Sequence, residues 1–349
     1  MQKKSVDIRD VAALAGVSVG SASRVINGFE NVSTATRDKV QRAIEVLDYR
    51  PNHAARSLRS RTSKTIGCLF TDVANPLYAG VFRALEERLR SDGYMLLLAN
   101  GLNDPEREIE TLEMFGRRGM DGVIVAPGNE RDPRVLAALA ALRMPVVVLD
   151  RDMDTPRDAV LFDHARGMRD CVARLFALGH ERIGLALWRA EIRPVRRRIE
   201  GYKAAYRAAG QALPDMVVLA ASATSSVFAE VDALLKRPEP PTALIAQGTY
   251  TLHSTLQAIA ANGLRVPEDI SVIGIGDTDF ARSHVPPISV VNVDLSQMAG
   301  KIAVMLQSRM ADVDLAPRSE KVALVFTERQ SVGPARRMPA AFRRTAASR

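Results

Sequence analysis

"IRDVAALAGVSVGSASRVING", residues Ile8 to Gly28, sets two short helical patterns on either side of one glycine. In the first, Ile8, Val11, Ala12 and Ala15 fall on one face, and Gly16 suits a left-handed C-cap. In the second, Ser18 is an N-cap residue and Ala22, Val25 and Ile26 form the inner face. Ala12, four residues before Gly16, keeps the side chain small where a second helix must cross the first closely. Gly20 reads as a mid-helix glycine, disfavoured by about 1 kcal/mol relative to Ala. At about 100° per residue, Gly20, Ser23, Arg24 and Asn27 lie opposite the inner face. The pattern is a helix-turn-helix whose second helix suits the major groove of DNA. Arg24 can contact guanine bidentately, for about 1–3 kcal/mol of discrimination. Val19 offers at most a contact to a thymine methyl, whereas Ser18 and Ser21 suit phosphates, which fix register without reading sequence.

Outward from this stretch, "STATRDKVQRAIEVLDY" continues with a third helix whose stripe is Val40, Ile44 and Leu47. Pro51 punctuates it, and "NHAARSLRSRTSKT" forms a basic connector. Residues 1–65 hold 12 Lys/Arg against 6 Asp/Glu, and residues 331–349 hold 5 Arg and no acid. The total charge is +8, so the remaining 265 residues net −3. A basic head on a slightly acidic body is the electrostatic footprint of a nucleic-acid binder.

From Ile66 onward, nine apolar runs read as strands: "IGCLF", "YMLLLA", "GVIVA", "PVVVL", "RIGLAL", "MVVLA", "TALIA", "SVIGI" and "SVVNV". Helical stretches such as Pro76–Ser91 and Pro105–Arg118 lie between most of them. Alternation of this kind predicts mainly parallel sheets with helices on both faces. Nine strands exceed one ordinary sheet, so the body divides into two α/β lobes. Ligands in such lobes sit at the carboxyl ends of the strands, which places a small-molecule site in the cleft between them.

Other chemistries find little support. No run of about 18 apolar residues predicts a membrane span. The N-terminus carries no apolar signal region, and Cys68 and Cys171 are far apart, as suits a reducing cytoplasm. His53, His164, His180, His253 and His284 are scattered, so they read as surface or loop residues and no metal site is expected. "GIGDTDF" lacks the third glycine of a dinucleotide loop, there is no Walker A loop or nucleophile elbow, and no catalytic residue or cofactor is expected. Two other classes would share the α/β texture. A periplasmic sugar-binding protein would need a signal peptide and no basic head; an NAD-linked enzyme would need a glycine-rich phosphate loop.

The opening stretch, with "VSTATRDKVQRAIEVLDYRPNHAARSLRSRTSKTIG" after it, resembles the head and hinge of the lactose-repressor (LacI/GalR) family. The resemblance continues through "NPLYAGVFRALEERLRSDGYMLLLANG", "DPEREIETLEMFGRRGMDGVIV", "LGHERIGLAL" and "GLRVPEDISVIGIGD", covering about residues 5–330. It implies an all-α helix-turn-helix head plus an α/β body like the periplasmic binding proteins, with two lobes and mainly parallel sheets. It further implies a homodimer on a near-palindromic double-stranded operator, controlled by a small effector. The expected domains are 1–50 (head), 51–65 (hinge), 66–330 (body) and 331–349 (a basic, disordered tail). With no leucine heptad after residue 330, a dimer rather than a tetramer is expected. In the hinge, Leu58 matches the family's wedge leucine, which kinks the duplex from the minor groove, with Arg59 and His53 beside it on DNA.

The resemblance also marks effector positions: Leu77 and Tyr78 on the cleft wall, Asp150 at a strand end, Asp163, and Arg198 in "RRRIEGY". His164 follows Asp163 where the family usually carries Asn. Gln247-Gly248-Thr249 stands where many members have Ala-Asn-Asp. Gly276 stands where many have a sugar-binding aspartate, leaving Asp277 one residue along. Two fewer carboxylates beside "IRPVRRR" point to an acidic effector, such as the sugar acid gluconate, over a neutral sugar.

Overall fold

The computed structural model describes residues 6–29, 31–49, 62–188, 191–222 and 225–336, and the chain forms two compact units, Met1–Ser63 and Lys64–Arg349. The first unit holds α1 (Ile8–Ala15), α2 (Val19–Ile26) and α3 (Thr34–Leu47). Asp7 caps α1 by accepting from the N–H groups of Arg9 and Asp10, while Asp10 accepts from Asp7 N at 2.8 Å, a reciprocal capping box. Gly16 ends α1 at φ 64°, as the left-handed cap requires, and Val17 N donates to Ala12 O at 3.0 Å. Val11, Ala12, Ala15, Ala22, Val25, Val40 and Ala43 are the buried core of this unit. One expectation shifts. Because Ser18 is the N-cap, Gly20 is the second residue of α2 rather than mid-helix, so its propensity cost is smaller than in an interior turn.

In the second unit all nine expected strands form, and three more join them. One sheet contains β1 (Thr65–Phe70), β2 (Met95–Asn100), β3 (Gly122–Ala126), β4 (Val146–Leu149), β5 (Asp158–Phe162) and β11 (Ser319–Val322), all parallel, in the order β11-β5-β4-β3-β1-β2. The other contains β6 (Ile183–Trp188), β7 (Val217–Ala220), β8 (Ala243–Gln247), β9 (Ser271–Ile275), β10 (Ser289–Val293) and β12 (Leu324–Thr327), in the order β12-β10-β9-β8-β6-β7. Here β12 alone runs antiparallel. The chain passes between the lobes after β5, after β10 and between β11 and β12.

Three helices of the N-terminal lobe, α4 (Pro76–Arg90), α5 (Pro105–Arg117) and α6 (Pro133–Ala141), each start on a proline behind an Asn or Asp cap. The proline lacks an N–H that the first turn could not bond anyway, and the capping oxygen accepts from the next free one. The other helices are α7 (His164–Ala177), α8 (Arg193–Ala208), α9 (Phe228–Leu235), α10 (Gly248–Ala261), α11 (Asp279–Ser283) and α12 (Leu295–Ala311). Each lobe has apolar cores on both faces of its sheet, with α12 sealing one face of the N-terminal lobe through Met298, Ile302 and Leu306.

Two expectations are corrected here. The chain is held past residue 330: Ser331 is fully buried, its hydroxyl donates to Val272 O at 2.6 Å, and Gly333 O bonds His180 Nε2 at 2.9 Å. The expectation of a disordered tail from residue 331 therefore fails at residues 331–333, and residues 337–349 lie outside the described residues. His164 and His180 are core residues rather than surface or loop residues, because each ring is closed in by bonds from neighbouring elements.

Candidate nucleic-acid interface and effector cleft

On the head, Val19, Gly20, Arg24 and Asn27 are exposed, opposite the buried Ala22 and Val25. Among the described residues the Arg24 side chain has no hydrogen-bond or ion-pair partner, and a guanidinium carries five donors. A Cβ placed on Gly20 would meet only Ser18 Oγ, at 3.8 Å, so packing within the head does not demand glycine there. Ser18 Oγ accepts from Ser21 N at 3.1 Å and pairs with Ser21 Oγ at 3.0 Å. Between them the two hydroxyls commit one proton and keep one for a phosphate at the positive end of α2. Asn27 is less free than its position suggests: its Nδ2 donates to Ser23 O at 2.8 Å and to Ser23 Oγ at 3.2 Å. His53, Leu58 and Arg59 lie outside the described residues.

In the body, charged side chains meet between the carboxyl ends of the two sheets. Asp150 follows β4 in a left-handed conformation, φ 53°. Its Oδ1 accepts from Arg193 Nη1 at 2.7 Å and from Phe162 N at 3.1 Å, and its Oδ2 bonds His164 Nε2 at 2.7 Å. Asp150 belongs to the N-terminal lobe, whereas His164 and Arg193 open α7 and α8 of the other. Around this pair, Arg196 bonds Glu130 at 2.5 Å and Asp152 at 3.1 Å, and Arg197 stands 3.6 Å from Asp152. The lobes are joined by carboxylates on one side and guanidiniums on the other.

Arg198 differs from its neighbours. It is only 7% exposed, has no hydrogen bond or ion pair with a described residue, and its Nε is buried without a partner. Burial pushes its pKa down to about 10, against the favourable pull of Asp150 and Tyr78. Its place on α8 is fixed by Gly201, where any Cβ would overlap the backbone of Ala165 on α7. Three further polar atoms in this region are buried and unpartnered: His164 Nδ1, Gln247 Oε1 and Thr249 Oγ1. Since Asp150 takes the Nε2 proton of a neutral ring, Nδ1 is a free acceptor.

The other expected effector residues divide. Tyr78 stacks on Phe70 at 5.0 Å, and its hydroxyl accepts from Arg151 Nη2 at 3.0 Å. Leu77 packs on the core of its lobe, and Asp163 caps α7 by accepting from Arg166 N. Asp277 departs from the expectation of a ligand acceptor, because Arg329 at 2.7 Å and Arg282 at 2.9 Å occupy its two oxygens. At the two departures from the family pattern, Gly248 and Gly276 sit at φ 65° and 100°, a backbone that suits glycine. Glu130, Arg151, Arg193 and Arg196 were not singled out from the sequence. A run of arginines at the start of a helix was visible, but their N-terminal partners lie 40 or more residues away and only the fold pairs them.

Among the described residues there is no cluster of metal-ligating side chains, and no helix long and apolar enough to cross a membrane. Comparison with known proteins agrees with the two units. Residues 7–52 match the profile of bacterial regulatory proteins of the lacI family, and residues 172–332 match a periplasmic binding protein-like domain. The chain is 31% identical over 309 residues to the HTH-type transcriptional repressor PurR of Haemophilus influenzae (strain PittEE), covering 88% of this chain and 92% of that protein. It is 29% identical to the HTH-type transcriptional regulator DegA of Bacillus subtilis (strain 168), covering 84% and 88%. In structure it resembles the lac repressor dimer bound to operator and the anti-inducer ONPF, with TM-score 0.84 and 26% identity over 95% of this chain and 100% of that one. The transcriptional regulator CelR in complex with cellobiose aligns with TM-score 0.69 and 29% identity, over 93% and 99%. The exposed arginine of a helix-turn-helix and the charged cleft of a two-lobed body thus occur together in a chain that belongs to the lacI family of bacterial regulatory proteins, DNA-binding transcriptional repressors under effector control rather than enzymes.

Proposed function

We propose that this protein represses transcription as a homodimer on a near-palindromic operator, and that a small effector bearing a carboxylate controls it from the cleft. The observation that carries the effector class is Arg198, a buried guanidinium that no carboxylate among the described residues pairs with. Burying a charge is costly unless it is paired, so a cation held open in a ligand cleft calls for an anion supplied from outside. His164 Nδ1, Gln247 Oε1 and Thr249 Oγ1 add acceptors for hydroxyl groups. A carboxylate with several hydroxyls, as in gluconate, satisfies both sets, while a neutral sugar leaves Arg198 uncompensated.

DNA contact falls to Arg24 for base reading, with Ser18 and Ser21 on phosphates and Val19, Gly20, Ser23 and Asn27 lining the same face. Leu58, with Arg59 and His53, adds a kink whose cost depends on the sequence being bent. The dimer is supported by β2, a mainly apolar edge strand (MLLLAN) on which Met95 is 68% exposed and Leu97 and Leu98 are each 37% exposed. A bare apolar edge of this length invites pairing, and a second copy of the chain covers it. A cleft–operator coupling of about 1–3 kcal/mol gives 5–150-fold regulation.

Calorimetry with gluconate and matched neutral sugars tests the effector class. Tighter binding of gluconate, lost in Arg198→Met, is the expected result. Tighter binding of the neutral sugars contradicts it.

A further inference from the structure

At the opposite end of β4 from Asp150, a second charged cavity opens in the N-terminal lobe. Its volume is about 210 Å³, smaller than drug-sized sites. It lies where β4, β5 and β11 begin, so the length of the sheet separates it from the cleft. The floor is a closed ion pair. Asp158 is buried and accepts from Arg309 Nε at 3.0 Å and Nη2 at 3.1 Å, and from Arg318 N at 2.8 Å. Arg309 also donates to the carbonyls of Val313 and Leu315, which satisfies its remaining nitrogen.

Asp158 is therefore fully committed, and two other arginines at the cavity remain without a carboxylate. Arg157 is half-buried, its Nε is sealed from solvent with no hydrogen-bond partner, and no described residue pairs with it. Burial depresses its pKa. Arg143 stands exposed at the same cavity, also without a described partner. The walls are apolar: Leu142, Pro145, Pro156, Val313 and Pro317.

From the unpaired Arg157 and Arg143 against these walls, we propose a second ligand site, distinct from the cleft, for a small organic anion with a compact apolar body. The guanidiniums hold its carboxylate, and the prolines, Leu142 and Val313 cover the apolar part. A bare phosphate or a DNA phosphate would meet the two cations but leave the walls unfilled.

The test uses full-length protein and benzoate as the probe, with benzamide and inorganic phosphate as controls, in wild type, Arg157→Met, Arg143→Gln and Arg198→Met. Expected is saturable benzoate binding that weakens at least about tenfold in Arg157→Met, falls in Arg143→Gln and is unchanged in Arg198→Met. Benzamide and phosphate should bind much more weakly. Benzoate binding that survives Arg157→Met, disappears in Arg198→Met, or never saturates overturns the site. So does a drop of about one in the salt slope of DNA binding in Arg157→Met, which would assign the arginine to a DNA phosphate. Because Arg198→Met reports the cleft separately, failure here leaves the proposal for the cleft effector standing or falling on its own.

Discussion

Arg193, at the first turn of α8, donates to Asp150, just past the end of β4, at 2.7 Å, joining the two lobes through a pair from which water is excluded. Burial by itself would raise the Asp150 pKa, but the His164 ring and the Arg193 guanidinium outweigh it and hold the carboxyl below its ordinary value. Removing one partner of a buried pair leaves the other charge stranded. Asp150→Asn is the informative change, since Asn tolerates the left-handed backbone while deleting the charge. It should cost about 3 kcal/mol, read by denaturant unfolding of the body. A loss under about 1 kcal/mol would mean the pair contributes little to holding the lobes together.

Arg198 should behave in the opposite way. Burial disfavours its charge by more than the pull of Asp150 and Tyr78 offsets, so replacing it with Met removes a net penalty. The Tm of Arg198→Met should equal or exceed that of wild type while effector response is lost. A residue with a packing role would lower Tm, and that result would remove Arg198 from the effector site.

Acid should weaken the body through His164. Burial lowers its pKa despite the opposing pull of Asp150, with the Arg198 and Arg193 charges also disfavouring protonation. The unfolded chain takes up this proton as pH falls below about 6.5, and the folded body does not. Stability is therefore unaffected by this ring above that pH and is lost below it, down to the lowered folded value. His180, also depressed by burial, contributes in the same direction. In thermal unfolding between neutral pH and pH 5, His164→Asn should keep only part of the wild-type slope. An unchanged slope would place the sensitivity elsewhere.

The edge strand makes a further prediction. Leu97→Glu puts a charge on the exposed face of β2 without touching the lobe cores. Sedimentation should show a shift from dimer towards monomer and a large loss of operator affinity. A variant that remains a dimer would locate the interface on another surface.

How legible these features were depended on range. The helix-turn-helix could be read from "IRDVAALAGVSVGSASRVING" because caps, turn and inner face all follow from residues within one turn of each other. The nine strands were readable as apolar runs for the same reason. The three missed strands, β5, β11 and β12, carry Asp158, Glu320, Lys321 and Thr327, and they hold their places through pairing with distant strands. The cleft was only half visible. Arg198 and Asp150 could be marked by resemblance, but that Arg193, Arg196 and Arg197 would be neutralised while Arg198 would not depends on Asp150, Asp152 and Glu130 arriving from the other lobe. Asp277 looked available because nothing local reveals Arg329.

The central claim, that α2 reads an operator through Arg24, is tested most directly by selecting genomic DNA fragments on the full-length protein. Wild type and Arg24→Ala should be compared at low and moderate salt. Wild type should enrich a near-palindromic motif with binding that weakens steeply as salt rises. Arg24→Ala should relax preference at one guanine in each half-site, a loss of about 1–3 kcal/mol at that position. An identical motif from both proteins, or none from wild type at low salt, would contradict the account.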